Sequence, residues 1–130
     1  FVSNPDRAEK NFALAEQAVR LTEIPDLRLK ALFKVDQKNL VNYYNAADVL
    51  VLTSFHEGSP NVIKEAMACN CPIVTTEVGD VKWVLDKTKG CYTGSYNPVE
   101  FAEQLKLALD FAHKNDRTNG RERIIKLGLD

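Results

Sequence analysis

No stretch of this chain comes near the roughly 20 consecutive apolar residues that a helix needs to cross a bilayer. The opening residues lack the basic-then-apolar order of a secretory leader. Cysteine is scarce and odd in number, at three, which argues against a disulfide framework and predicts a reducing, cytoplasmic setting. Neither charge is in excess. Lys+Arg 17 against Asp+Glu 18 leaves a net charge of −1, so the strongly basic surface of a general nucleic-acid binder is missing. There is no G-x-G-x-x-G, no G-x-x-x-x-G-K-[ST] and no G-x-S-x-G, which weakens dinucleotide, P-loop and serine-hydrolase readings. Internal repeats and low-complexity tracts are also missing. What remains is an ordinary globular composition, 45% hydrophobic and 27% charged, with the 130 residues of one domain over 1–130. The chain opens on Phe1 rather than Met and stops without any tail composition, and is expected to be a piece of a longer polypeptide.

Apolar runs and helical patterns alternate from one end to the other. Phe1-Val2 reads as the end of a strand. Over residues 5–21, Leu14, Ala15, Ala18 and Val19 recur at i, i+1, i+4 and i+5, the apolar face of an amphipathic helix. Pro5 after Asn4 suits a helix start, and Asp6 with Glu9 three residues on offers a competing cap. Pro25 ends that region, and residues 27–33 read as a strand. Asp36 predicts a cap on a helix over 37–45, with Leu40, Val41 and Tyr44 turned inward. Val49-Leu50-Val51-Leu52 is a continuous apolar run, as expected of a parallel strand covered on both faces. Ser59 as cap and Pro60 as first residue then predict a helix with Val62, Ile63, Ala66 and Met67 on one face, running to Asn70. Ile73-Val74 is a second apolar strand. A helical turn over 81–85, a small strand near Cys91-Tyr92 and a long helix over 98–114 follow, the last carrying Phe101, Leu105, Ala108 and Leu109. Strand and helix alternating over short loops predict a parallel α/β sheet.

In such sheets ligands sit beyond the carboxyl ends of the strands, here residues 53–59 and 75–80. The helix start after Gly58 has unpaired amides and the positive end of a dipole, which suits a phosphate. Pro60 has no N–H, so the donors are Gly58, Ser59, Asn61 and Val62; such starts also occur with nothing bound. Glu57 in the loop and Glu65 on the helix, with seven residues between them, are placed to take the hydroxyls of a ribose and a second sugar, or serve as solvated surface charge. Arg7 and Lys10, just after the first strand, read equally as cations for a departing diphosphate and as members of a mixed-charge helical turn with Asp6 and Glu9. Cys69 and Cys71 form a C-x-C without a second pair, and Cys91 stands alone, so small buried residues are expected rather than a metal site. His56 reads as a hydrogen-bonded loop residue and His113 as unrelated to it. Asp80 is expected to cap the turn after it, and Trp83 to pack.

The stretch from Asn45-Ala46-Ala47-Asp48 through Ser54-Phe55-His56-Glu57-Gly58-Ser59-Pro60-Asn61 to Glu65-Ala66-Met67-Ala68 and Pro72-Ile73-Val74 resembles the retaining glycosyltransferases of family four (group 1), of GT-B fold. Glu77-Val78-Gly79-Asp80 resembles that family's Val-Gly-Gly loop, with Asp80 in place of the second glycine. Ser3-Asn4 stands where the family has Gly-Arg, which leaves Arg7 and Asn4 as rivals for the arginine position. The segment between Leu32 and Gln37 is shorter than in the family, and residues 33–35 are expected near the nucleobase.

The resemblance implies the C-terminal half of a GT-B enzyme, a Rossmann-like parallel sheet flanked by helices that binds a nucleoside-diphosphate sugar. By it Glu65 binds ribose, Glu57 lies against the donor sugar, the amides near Asn61 and Val62 meet the phosphates, and Arg7 and Lys10 hold the departing diphosphate. It further implies transfer to a saccharide or lipid-linked acceptor, with no metal and no cofactor. The acceptor would be bound by an amino-terminal domain outside this chain, through which the longer enzyme is expected to touch the inner face of the membrane. The isolated piece is expected to be inactive. A nucleotide-sugar epimerase of the same fold and a non-catalytic α/β interaction domain are the rival readings.

Overall fold

A computed structural model describes residues 1–115 and 117–128. Its centre is three parallel strands, β1 (Leu50–Leu52), β2 (Ile73–Thr76) and β3 (Cys91–Gly94), in the order β1-β2-β3. Leu50 lies opposite Ile73, and Ile73 opposite Cys91. Successive strand side chains face opposite sides, and both sides are covered. Val51 and Val74 pack with α1 (Phe12–Leu21) and α5 (Pro98–Asn115) through Leu14, Ala18, Phe101 and Leu105. Leu50, Leu52 and Ile73 pack with α2 (Gln37–Ala46), α3 (Asn61–Ala68), α4 (Val81–Leu85) and α6 (Gly120–Leu127). The continuous apolar run at β1 thus has the cause expected of it, two covered faces.

Several local expectations are corrected. The helix expected over 5–21 is split: a 3-10 turn, Ala8–Lys10, precedes α1, and Asn11 between them adopts φ 54°. Asn tolerates the left-handed region through its short polar side chain. Neither Asn4 nor Asp6 caps a helix; the Asn4 side chain accepts a hydrogen bond from the Asp6 amide instead. Residues 27–33 form one parallel bridge, Val2 to Leu32, with the Leu32 amide donating to the Phe1 carbonyl at 2.8 Å. A strand needs a paired partner along its length, and here pairing stops at that point. Asp36 caps α2 as expected, accepting from the Asn39 amide at 2.9 Å, but Val41 faces solvent.

Helix α3 starts one residue later than expected, with Pro60 rather than Ser59 in the cap position, and ends at Ala68 because Asn70 turns left-handed at φ 56°. Trp83 does not pack into the core. It is 58% exposed, its carbonyl accepts from Arg123 at 2.7 Å, and that guanidinium lies over its ring. Cys71 is fully buried, whereas Cys69 and Cys91 are only partly so. Helix α6 has too few apolar residues to be read from sequence; it buries Ile124 against the layer of α3 and α4 and ends on Gly128.

Candidate active site

The loops after β1 and β2 and the segment before α1 meet beyond the carboxyl ends of the strands. The Thr53 hydroxyl lies 3.0 Å from the Lys10 carbonyl and 2.8 Å from that of Asn11, and the Phe55 amide donates to the Glu9 carbonyl at 2.9 Å. These bonds tie the turn at residues 8–11 to the loop after β1. The break at Asn11 therefore positions the site: a straight helix through it would carry Lys10 elsewhere. Lys10 Nζ lies 2.6 Å from Glu57 Oε2, with the two side chains only 18% and 17% exposed. Arg7 is not brought to them. It is exposed and pairs with Glu9. The Glu9 carboxyl is held below its usual range by its own backbone amide first and by Arg7 second.

The loops after β1 and β2 hold one another. The Asp80 amide donates to the Gly58 carbonyl at 3.0 Å, and Ser59 Oγ donates to Asp80 Oδ2 at 2.6 Å. This corrects two cap assignments at once. Ser59 does not cap α3, and the Asp80 side chain makes no cap bond to α4. The other Asp80 oxygen, Oδ1, is buried without a partner among the described residues, as is Ser54 Oγ. Thr76 Oγ1 donates to the Ser54 carbonyl at 2.7 Å, and the Tyr96 hydroxyl reaches the same carbonyl at 3.2 Å. Phe55 and Tyr96 stack with ring centres 5.2 Å apart. His56 is exposed, and so is His113 on α5.

The amides of Gly58, Ser59, Asn61 and Val62 donate no hydrogen bond among the described residues. Those of Asn61 and Val62 open α3 at the positive end of its dipole, and those of Gly58 and Ser59 lie in the loop before its cap residue Pro60. Farther along α3, both oxygens of Glu65 are engaged from α2. The Tyr44 hydroxyl donates to Oε1 at 3.0 Å and Gln37 Nε2 to Oε2 at 2.9 Å. Burial, then the Glu65 charge, pushes the Tyr44 phenol far above its ordinary range, so it remains a proton donor. The two glutamates are thus held by different neighbours, Glu57 by the segment before α1 and Glu65 by α2.

The sequence marked Tyr44 only as an apolar-face residue and did not mark Gln37. Their partner lies 21 and 28 residues away, beyond any helical repeat. A hollow of about 690 Å³ runs along the face of α2 that carries Asp36, Asn39, Tyr43 and Ala46, with Lys34 and Val35 at one end, and Gln37 is not among its lining residues. An apolar cavity of about 270 Å³, lined by residues including Val2, Leu29, Val49 and Leu105, contains none of Arg7, Lys10, Glu57 or Glu65.

Known proteins share this arrangement of elements. Sucrose-phosphate synthase from Thermosynechococcus elongatus superposes with a TM-score of 0.69 at 28% identity, over 97% of this chain and 33% of that one. That match agrees with a Rossmann-like α/β domain of GT-B type. D-inositol 3-phosphate glycosyltransferase 2 of Catenulispora acidiphila is 35% identical over 81 residues, 62% of this chain and 19% of that protein. The D-inositol 3-phosphate glycosyltransferase of Corynebacterium diphtheriae is 31% identical over 101 residues, 75% of this chain and 24% of that protein. The matched regions thus cover about a fifth to a quarter of the length of these curated relatives. Residues 8–110 match the family described as glycosyl transferases group 1, and the chain therefore belongs to the group 1 glycosyltransferases.

Proposed function

We propose that this chain is the donor-binding domain of a retaining glycosyltransferase, which moves a sugar from a nucleoside diphosphate to a saccharide or lipid-linked acceptor in polysaccharide or glycoconjugate synthesis. The observation that carries this reading is the open amide end of α3, flanked by the Lys10–Glu57 pair on one side and by Glu65 on the other.

In this reading the diphosphate lies against the amides of Gly58, Ser59, Asn61 and Val62, where the helix dipole favours an anion. The Lys10 ammonium has three donors. It shares them between Glu57 and the phosphates, and so stands where negative charge grows as the bond from sugar to phosphate breaks. Glu57 lies against the donor sugar. Arg7 joins the diphosphate by leaving Glu9, an exposed partner it gives up at little cost. With these groups meeting the leaving-group charge, the reading calls for neither metal nor cofactor. Glu65 takes the ribose hydroxyls, and residues 33–35 lie against the base.

The acceptor belongs to a part of the longer protein outside this chain. The isolated chain therefore binds donor weakly and transfers little, since transfer needs a placed acceptor and a dry cleft. A cytoplasmic location fits a donor of this chemistry, with any membrane contact made at the periphery through that other part. Among the described residues no helix is long and apolar enough to cross a membrane.

Uridine, guanosine and adenosine diphosphates test the reading directly. At least one is expected to raise the melting temperature and to shift the backbone NMR signals of residues 53–62. Glu65→Ala is expected to abolish those shifts. No response to any of the three nucleotides would overturn donor binding, and unchanged shifts in the variant would remove the ribose role.

A further inference from the structure

We propose that Tyr44, with Gln37, is a positioning residue for the sugar part of the nucleotide, holding the Glu65 carboxylate so that its free lone pairs face the two vicinal hydroxyls of the ribose. This rests on the donor-binding reading above and adds the device that would make Glu65 selective.

A carboxylate offers about four acceptor positions on its two oxygens. Tyr44 occupies one on Oε1 at 3.0 Å and Gln37 one on Oε2 at 2.9 Å. One position on each oxygen remains, a pair of acceptors at the separation a vicinal diol presents. An unheld carboxylate on an exposed helix face would rotate and meet one hydroxyl at a time. Tyr44 is suited to the task. Its side chain is almost wholly buried, and its phenol keeps its proton. Its backbone is fixed as well, because Arg117 donates to the Tyr44 carbonyl at 2.7 Å and, with the same nitrogen, to the Cys69 carbonyl at the end of α3 at 2.9 Å. The helix carrying Tyr44 and the helix carrying Glu65 are thereby joined at both the functional and the far end. The mixed hold, one buried donor and one exposed, orients the carboxylate while leaving one side open to solvent.

The test compares the tightest-binding of uridine, guanosine and adenosine diphosphate with its 2′,3′-dideoxy counterpart, by calorimetric titration of the full chain. The native chain is expected to favour the diol by about tenfold or more, as for hydrogen bonds to a charged group. Tyr44→Phe is expected to weaken the ribonucleotide about tenfold and to leave the dideoxy ligand within about twofold, so that discrimination collapses. Equal weakening of both ligands, or intact discrimination, overturns the proposal and makes Tyr44 a packing residue. Should Tyr44→Phe fail to fold, the exposed Gln37→Ala serves instead, with the same loss of discrimination expected and the same result overturning it. Failure of the underlying reading looks different: no nucleotide binds the native chain, or the native chain and Glu65→Ala treat both ligands alike.

Discussion

Gly79 turns with φ +52° directly beneath the loop after β1, and a Cβ built there would overlap the Gly58 carbonyl oxygen. The clash is with backbone, which has no rotamer to give way. Gly79→Ala combines that overlap with the left-handed penalty of about 1–2 kcal/mol for an L-residue. The variant is expected to lose about 2 kcal/mol or more of stability, read as a lower urea midpoint. Because the Asp80 amide bonds the same carbonyl, the open amides of α3 should move with it, and the NMR signals of residues 58–62 should shift. An unchanged midpoint would mean that the two loops separate at little cost. This glycine was legible as part of the family-like Glu77-Val78-Gly79-Asp80 stretch, but its reason was not. Only the approach of a second loop makes the missing Cβ necessary.

Arg117, which follows α5, ties the ends of helices α2 and α3 together. Its guanidinium donates to the carbonyls of Ala47, Tyr44 and Cys69, at the C-terminal ends of both helices, where unpaired carbonyls and the dipole favour a cation. Arg117→Ala leaves those carbonyls without their donor. A loss of about 2 kcal/mol is expected, seen as a fall of several degrees in melting temperature. Arg117→Lys should recover only part, since one ammonium does not reproduce the planar fork. A melting temperature unchanged by both would show that water serves the carbonyls equally well.

Apolar spacing placed α2, α3 and α5 to within a few residues, and the end of α1 but not its start. It failed at α6, where Ile124, Ile125 and Leu127 are too few to mark a face among four charged neighbours. It also joined the 3-10 turn to α1, because hydrophobic spacing says nothing of a single left-handed residue such as Asn11.

Both faces of the sheet are closed, and this shows in the thiols. Burial pushes Cys71 up to about 11 and Cys91 up to about 12, from an ordinary value of 9.0. Above pH 9.0 the unfolded chain releases protons that the folded chain keeps. Their stabilising contribution is therefore complete below that pH and is lost as pH rises toward 11 and 12. The Tyr44 phenol, also held above its ordinary range, acts in the same direction. Urea midpoints measured upward from neutral pH should fall steadily above pH 9.0, and Cys71→Ala should flatten that decline. A flat profile in the native chain would mean that water reaches the core thiols.

The order of residues alone determined the α/β class, the place of β1, and the lodging of Glu57 in a loop and Glu65 on the following helix. Those are matters of local spacing, and hydrophobic periodicity reports them because each element must turn one face inward. Tertiary structure decided which side chains met. Lys10 reached Glu57 while Arg7 went to Glu9, Ser59 left the helix cap for Asp80, and Tyr44 turned its hydroxyl to Glu65. Such pairs join segments 21 to 47 residues apart, or choose between near neighbours of like charge. They depend on how packed elements cross, which no periodicity within one element encodes.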